Sequence, residues 1–578
     1  MYFFMKRYRW NLPPVDDAAL TSFACSIKAS LPLARIFFMR GVKSYDAAEA
    51  FFTASLETLP SPSLFASMPK AVGRVQEAIR SGEKIMIYGD YDVDGITGTA
   101  MLNLFLRDRD ADVSYYINNR FEEGYGLSME GIRAAAERQV GLIITVDCGI
   151  SANLAIERAG ELGMDVIVCD HHEPEELPDA YAILNPKVPG CSYPFRELCG
   201  CGVAFRFVQA IAEELQLSAE SWQQYLDLVA IATAADMVVL SEENRTMVRE
   251  GFRMMQQRPR VGIEAMLSFM KVNPRDLGMT GVTFGIAPRI NAAGRMGSAR
   301  KAVDWLLAES KDEAHKHTGE LEELNILRRR TDLEMLKRAE EMVEGHFASY
   351  CSSIVLYDES WHLGVVGIVA SKMLERYHLP TVILGASKEL VKGSVRSVPG
   401  LNIYSVLQEC SDLLEQFGGH HQAAGVSMRP ENLPAFRKRF DEISARVLDM
   451  DARQKELTVD TELGLGEITG NFMKALQRFS PYGVGNPEPL FLTEGLQCTG
   501  SVRLLKERHV KFMVRDASGK RLDVIAFDRK DIYDALMESS GQSFSMVYSL
   551  ELHEWNGRVE PQAKVKDLSV ESLHRQGL

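Results

Sequence analysis

Residues 84–95 read Lys84-Ile85-Met86-Ile87-Tyr88-Gly89-Asp90-Tyr91-Asp92-Val93-Asp94-Gly95, a short apolar run that passes directly into three carboxylates at alternate positions. The run predicts a buried strand, and Ile96 to Leu106 continues with apolar residues at helical spacing, so the unit is strand, loop, helix. Two further runs repeat the theme: Leu142-Ile143-Ile144-Thr145-Val146 ahead of Asp147, and Val166-Ile167-Val168 ahead of Asp170. Strands alternating with helices predict a parallel α/β sheet, whose ligands gather beyond the carboxyl ends of its strands. All three strands deliver acids to that edge.

Like charges packed as closely as Asp90, Asp92 and Asp94 repel one another unless a cation neutralises them. An EF-hand calcium loop also begins D-x-D-x-D-G, but the twelfth position here is Met101 instead of a bidentate Glu, and a strand precedes the loop where an EF-hand has a helix. A solvated acidic turn is the other plain reading of this motif alone. Asp147 in ITVDCG also reads as a helix cap. Asp170-His171-His172 adds an acid and two imidazoles to the same edge, and Asp236 interrupts the apolar run LVAIATAADMV, either as a helix-terminal cap or as a charge held by a metal. Together these positions offer up to five carboxylates and at least one imidazole. Such an oxygen-rich set suits Mg²⁺ or Mn²⁺, in a number that serves two ions, and two ions imply phosphoryl chemistry.

Outward from this unit, residues 319–345 are rich in Glu, Leu, Arg and Lys without Pro or internal Gly, which predicts a long charged helix linking two domains. A second α/β unit is expected from strands at 353–357 and 381–384 around a helix from Gly364 to Tyr377, and it carries GSVRS (393–397) and GGHHQAAG (418–425). After 455 the pattern alternates, as in Val510 to Val514 and Arg521 to Phe527, which fits a small barrel. Residues 1–80 read as helical. At 578 residues the chain exceeds one core, and roughly 150 residues per domain suggests three or four units.

The net charge of −14 repels phosphate on average, so nucleic-acid binding requires a local basic groove. Residues 503–530 supply one candidate, with Arg503, Lys506, Arg508, Lys511, Arg515, Lys520, Arg521, Arg529 and Lys530 against Glu507, Asp516, Asp523 and Asp528. The nine cysteines form no CxxC pair, which excludes a zinc ribbon. No stretch reads as a signal peptide or a bilayer span, so a cytoplasmic protein with no membrane partner is expected.

The motifs GDYDVDG, INNRFEEGYG, ITVDCG, CDHH, CGCGVAF, ATAADMV, PRINAAGRM and GGHHQAAG follow one another as in the RecJ exonucleases of the DHH phosphoesterase superfamily, with RWNLPP near the start and SPYGVGNPEPLF at 480–491. The chain resembles that family nearly end to end. The resemblance implies an α/β fold: a parallel-sheet DHH catalytic domain (81–318) behind a helical N-terminal lead-in (1–80), a linking helix (319–345), a DHH-associated α/β domain (346–450) and a C-terminal OB-fold β-barrel (455–578) that grips single-stranded DNA. It further implies two divalent cations, Mn²⁺ or Mg²⁺, held by Asp90, Asp92, Asp94, Asp147, His171 and Asp236, with Asp147 bridging. Asp147, His171 and His172 carry the catalysis, His172 as a phosphate contact, while Asp170 orients His171. Arg120, Arg289, Ser394, Arg396 and His420 resemble the family's substrate-binding residues for a free 5′ end and backbone phosphates; Gly418 and Gly419 also let backbones approach closely. The implied reaction is stepwise 5′→3′ release of 5′-mononucleotides in DNA repair and recombination, with a DNA helicase and a single-strand-binding protein as partners.

Departures from the family pattern are Val93 where Ala is familiar and Asn118 where Pro is common, and neither removes a ligand. The chain ends soon after the barrel, so an added C-terminal partner-binding domain is expected to be absent or reduced. Two rival readings remain: a small-substrate DHH phosphoesterase acting on oligoribonucleotides, cyclic dinucleotides or pyrophosphate, and a non-catalytic DNA-binding scaffold. The β-rich basic tail argues against the first and the intact ligand set against the second. Phe512 and Phe527 are candidate base-stacking aromatics, with core packing as the plain alternative. A nucleotide-binding regulator lacks its G-x-G-x-x-G.

Overall fold

The computed structural model describes residues 8–345, 352–448, 455–539, 541–555 and 557–570. Cys351, the first seven residues of the expected lead-in, residues 346–351 and 449–450 of the second unit and residues 571–578 of the barrel span lie outside the described residues.

Strands β1 (Ile85–Gly89), β2 (Val113–Ile117), β3 (Leu142–Val146), β4 (Asp165–Cys169) and β5 (Ala182–Leu184) form an all-parallel sheet in the order β2-β1-β3-β4-β5. Successive side chains alternate between its faces. Ile85, Ile87, Ile144 and Ile167 join a core with helices α1 (Val93–Arg107), α2 (Gly200–Glu214) and α3 (Leu226–Asp236). Met86, Tyr88, Ile143, Val166 and Val168 pack on the other side against helices Met129–Glu137 and Asn153–Glu161. Coverage on both faces explains why β1 and β3 read as continuous apolar runs. The order of strands reverses at β1, so the crevice beyond the carboxyl ends of β1 and β3 is the switch point where such sheets receive ligands.

The connecting helix α5 (Lys311–Gly345) starts at Lys311, a full two turns ahead of the expected 319, because Lys311-Asp312-Glu313-Ala314 is already good helix-forming sequence. Its neighbour α4 (Ala287–Met296) packs along it. The second unit has the sheet order β9-β10-β8-β7-β6, from β6 (Ile354–Tyr357), β7 (Thr381–Ser387), β8 (Leu390–Arg396), β9 (Gln416–Gly419) and β10 (Ala423–Met428), with α6 (Val366–Tyr377) after β6. Only β6 and β7 pair in parallel; the remaining pairs are antiparallel.

In the C-terminal unit a two-residue strand, β11 (Thr461–Glu462), joins β12 (Phe491–Leu505), β13 (His509–Arg515), β14 (Arg521–Ala526), β15 (Phe544–Trp555) and β16 (Arg558–Val570). The β12–β15 pairing closes β12-β13-β14-β16-β15 into a ring, the five-stranded barrel of an OB-fold. Phe512 is buried inside it, whereas Phe527 is 52% exposed.

The expected lead-in divides. Helix Met68–Ser81 enters the catalytic core through Met68, Val72 and Val75. The helices Asp17–Ile27, Leu31–Met39 and Tyr45–Thr53 instead share the barrel's core, where Phe37 meets the ring of Phe479 at 4.6 Å. Arg9–Asn11 pairs in parallel with Glu456–Thr458. These helices dock on the barrel because their apolar faces carry Leu20, Phe23, Ile36 and Phe37, matched there by Phe472, Phe479 and Phe491. No single helix among the described residues is long and apolar enough to cross a membrane.

One buried ion pair fastens this arrangement. Arg40 Nη1 lies 3.0 Å from Asp460 Oδ1, with side-chain exposures of 4% and 9%, and Asp460 Oδ2 also accepts from the Leu490 amide. Removing one member of such a pair leaves a buried charge alone. Arg40→Met is therefore expected to destabilise the N-terminal and barrel core by about 3–5 kcal/mol, read as an early urea transition by intrinsic fluorescence.

Candidate metal centre

Each strand end presents its acid through a different local device. Asp92 caps α1, its Oδ1 accepting from the amides of Asp94 (2.9 Å) and Gly95 (3.4 Å). Asp90, buried directly after β1, accepts from Asn118 Nδ2 at 3.2 Å. Asp94 receives the amides of Gly200 (2.6 Å) and Cys201 (2.8 Å) at the N-terminus of α2, where the positive end of the helix favours a carboxylate. Asp147 does not cap a helix. It sits at φ +60° between β3 and a helix that starts only at Asn153, and its carbonyl accepts from Tyr125 Oη at 3.0 Å. Gly200 makes this packing possible, since a Cβ there would lie 2.7 Å from both Cα and Cβ of Asp147.

His171 is the hub. Its Nε2 lies 3.2 Å from Asp147, 3.7 Å from Asp236 and 3.8 Å from Asp94. Asp236 is the last residue of α3, so its position as a helix terminus and its place in the cluster coincide. Candidate ligand atoms lie within 4.8 Å of one another in three groups among the described residues: Asp90, Asp92 and Asp147; Asp94, His171 and Asp236; and Asp147, His171 and His172. Asp147 belongs to the first and the last, and therefore stands between the acid loop and the imidazoles.

The electrostatics show what the cluster lacks. Burial, then the charge of Asp92, push the Asp90 carboxyl up to about 8; the same two causes push Asp236 up to about 6. Asp94 and Asp147 are held well above the usual carboxylate range by burial and by their acidic neighbours. Burial, aided by His172, lowers His171 to about 3, so its imidazole is neutral and offers a lone pair. Nε2 of His171 and Oδ2 of Asp236 are buried without a hydrogen-bond partner. Oxygen donors in repulsive contact, with a neutral imidazole aimed among them, fit a pair of hard divalent cations.

Asp170 departs from its expected part. Its Oδ1 bonds His172 Nδ1 at 2.7 Å and the amides of His171 and His172, while Oδ2 takes the Ile150 amide. It therefore orients the ring of His172, not that of His171, because the turn after β4 brings the second imidazole back over the carboxylate. Burial opposes charge on His172, but the Asp170 bond outweighs it and raises its pKa. Tyr125 Oη, 3.0 Å from Nδ1, completes this group.

Cations gather beside the acids. Arg120 lies 4.4 Å over the ring of Tyr91. Arg396 Nη1 donates to Ser394 Oγ at 2.5 Å and Nε to Ser371 Oγ at 3.1 Å. Burial and the charge of Arg120 lower the pKa of Arg396, and burial with Arg120 and Arg328 lowers Arg295 to about 10. Arg295, held by the carbonyl of Gly364, escaped sequence reading although it lies in the same PRINAAGRM motif as Arg289. Arg289 itself is engaged inside the protein, with Glu322 of α5 at 2.5 Å and the Gly285 carbonyl at 2.7 Å. His420 is exposed on the turn after β9 and belongs to none of the ligand groups. Tyr125 and Gly200 were also missed as individual residues; their signal was only their presence in GYG and CGCG.

The basic stretch 503–530 is partly internal. Arg529 is buried between Asp531 and Asp567, and Lys511 pairs with Asp523 at 3.0 Å, while Arg503, Lys506, Arg515, Lys520, Arg521 and Lys530 are exposed.

Residues 84–233 match the DHH family, N-terminal domain, residues 348–446 the DHHA1 domain, and residues 459–567 the RecJ OB domain. The single-stranded-DNA-specific exonuclease RecJ of Bacillus subtilis (strain 168) is 37% identical over 571 residues, 98% of this chain and 71% of the relative. That of Escherichia coli (strain K12) is 34% identical, over 94% of this chain and 96% of the relative. The chain belongs to the RecJ family. Its fold superposes on RecJ in complex with Mn²⁺ from Thermus thermophilus with a TM-score of 0.82 at 31% identity, covering 97% of this chain and 79% of that one; RecJ from the same organism has been solved with Mg²⁺, at a TM-score of 0.76. The sequence expectation of a RecJ-type fold is thereby borne out.

A carboxyl whose pKa is raised by folding holds a proton that the unfolded chain releases near pH 4, so it stabilises the fold below that pH and loses the contribution as pH climbs through the folded value. For the metal-free protein, stability is therefore expected to fall between about pH 4 and pH 8 as Asp236 and then Asp90 ionise. Thermal unfolding of chelator-treated protein across that range should show a declining midpoint, and Mn²⁺ at pH 8 should restore it.

Proposed function

We propose that the protein is a single-stranded-DNA-specific exonuclease that hydrolyses phosphodiester bonds with two divalent cations, Mn²⁺ or Mg²⁺, and releases 5′-mononucleotides in the 5′→3′ direction. The observation that carries this reading is Asp147, whose carboxylate is shared between Asp90 and Asp92 on one side and the imidazoles on the other. Membership of the RecJ family and the OB-fold barrel support the choice of substrate.

In this reading Asp90, Asp92 and Asp147 would hold one cation and Asp94, His171 and Asp236 the other, with Asp147 also standing beside His171 and His172. When bound, such cations supply Lewis acidity to the phosphoryl oxygens and make water a better nucleophile. The chain's own residues do the rest. Neutral His171 offers its lone pair without bringing a competing positive charge. His172, whose ring is oriented by the Asp170 bond to Nδ1 and whose pKa that bond raises, meets a phosphate oxygen with a ring N–H donor. Arg120, Arg396 and Ser394 seat the terminal 5′ phosphate, because guanidinium groups free of acid partners suit a dianion, and Arg295 adds to the same positive field. Arg289 holds α4 against α5 and so positions that field, and His420 reaches the backbone from the second unit. We assign catalysis to residues 81–318, the link to 319–345 with its N-terminal extension to Lys311, and strand gripping to 455–578, where Phe527, exposed with its ring edge against His509, is a candidate to stack on bases. A helicase and a single-strand-binding protein are the natural suppliers of such a substrate.

The test is degradation of a 5′-phosphorylated single strand labelled at either end, beside its duplex and a dinucleotide. Mononucleotides should appear from the 5′ end of the single strand with Mn²⁺ or Mg²⁺ and vanish in Asp147→Ala. Cleavage of the dinucleotide alone would replace this reading with a small-substrate phosphoesterase. Arg396→Ala is expected to raise KM for 5′-phosphorylated strands by about tenfold, the equivalent of one lost charge-assisted hydrogen bond, while changing KM for 5′-hydroxyl strands little; steady-state kinetics on the two substrates measure this.

A further inference from the structure

The motif SPYGVGNPEP, singled out in the sequence, takes no part in the chemistry above, yet it lies against the segment that follows Asp236. Leu240 donates its amide to the Val484 carbonyl at 2.6 Å. Gly485, at φ +77°, leaves room for Val239 that no other residue would leave, since a Cβ there would fall 2.7 Å from Val239 Cγ1. Between Asp236 and this contact stand only Met237, itself at φ +58°, and Val238. Asp90, Asp92 and Asp94 are each oriented by donors to the carboxylate, whereas Oδ2 of Asp236 has none. The aim of Asp236 is therefore set by its backbone.

The loop is in turn anchored on both sides. Arg245, buried in the catalytic unit, donates through Nη2 to the carbonyls of Arg478 (2.9 Å), Phe479 (3.3 Å) and Ser480 (3.0 Å). Asn486 Nδ2 holds the carbonyls of Phe479 and Pro481, and its Oδ1 accepts from Arg40 Nε at 2.7 Å. Lys564 of β16 reaches Glu488 at 3.3 Å. These contacts link the barrel to Val484 and Gly485, and through them to Leu240 and Val239.

We propose that the loop of residues 480–487 is the positioning element of Asp236, so that cation binding by Asp94, His171 and Asp236 depends on the seating of the barrel against the catalytic unit. This rests on the two-cation reading given above. The loop touches no reacting atom; it acts through the backbone of residues 237–240.

The experiment is Mn²⁺ titration of the full chain without DNA, followed by the electron paramagnetic resonance signal of free Mn²⁺. Gly485→Ala is expected to weaken one of the two Mn²⁺ sites by roughly tenfold or more, the range for groups that orient a ligand, and to leave the other unchanged. Gly163→Ala is the control for left-handed strain, because Gly163 has φ +76° with nothing within 4 Å of an added Cβ, and it should bind Mn²⁺ as the wild type does. Val239→Ala combined with Gly485→Ala removes the colliding methyl and should recover most of the loss. Should Gly485→Ala fail to fold, Val484→Gly loosens the carbonyl that holds Leu240 without adding volume, and the same loss is expected. Wild-type Mn²⁺ binding in the loop variants, or an equal loss in Gly163→Ala, overturns the proposal. A wild-type chain that binds no Mn²⁺ overturns the two-cation reading itself and this inference with it.

Discussion

Five carboxylates cannot remain ionised and buried within a few ångströms of one another without a compensating charge. Desolvation and mutual repulsion both act against their ionised forms, which is why Asp90, Asp94, Asp147 and Asp236 all have raised pKa values. The fold answers with fixed dipoles: the amides of Gly200 and Cys201 on Asp94, the first turn of α1 on Asp92, and the amide of Asn118 on Asp90. These donors orient the oxygens without neutralising them, so the site keeps a strong negative potential for cations to fill. That requirement explains features with no other use, including the left-handed backbone at Asp147 and the absence of a side chain at Gly200.

The surrounding units extend the same logic of alternating sign. The negative cluster sits at the switch point of the parallel sheet, and Arg120, Arg295 and Arg396 converge next to it from three separate segments. This juxtaposition of opposite charges suits the phosphate-bearing substrate proposed above. It also explains how a chain with a net charge of −14 can belong to a nucleic-acid-processing family, since binding depends on where the charges lie and not on their sum.

The barrel is more than an appendage. Its core takes in three N-terminal helices, so the first and last parts of the described chain share one core, and Arg40, Arg245 and Asn486 join the seam with hydrogen bonds to backbone carbonyls, Arg40 and Asn486 also to each other. A carbonyl can accept such donors only where the backbone is already fixed. The loop they fix lies beside the segment that follows Asp236, the candidate ligand at the end of α3.

The acids and imidazoles were legible in the sequence because a charged residue at the end of an apolar run is conspicuous, and the periodicity around each run tells strand from helix. Asp90, Asp92, Asp94, Asp147, His171 and Asp236 could all be named that way, and the order of motifs pointed to the family. Tertiary structure alone decided their partnerships. That Asp170 serves His172, that Arg289 faces Glu322 while Arg295 joins the cationic group, and that Arg529 is internal depend on side-chain directions that local sequence does not encode. The docking of the N-terminal helices on the barrel was hidden for the same reason. An amphipathic helix specifies that it must bury a face, but which surface receives that face is set by complementarity with residues hundreds of positions away.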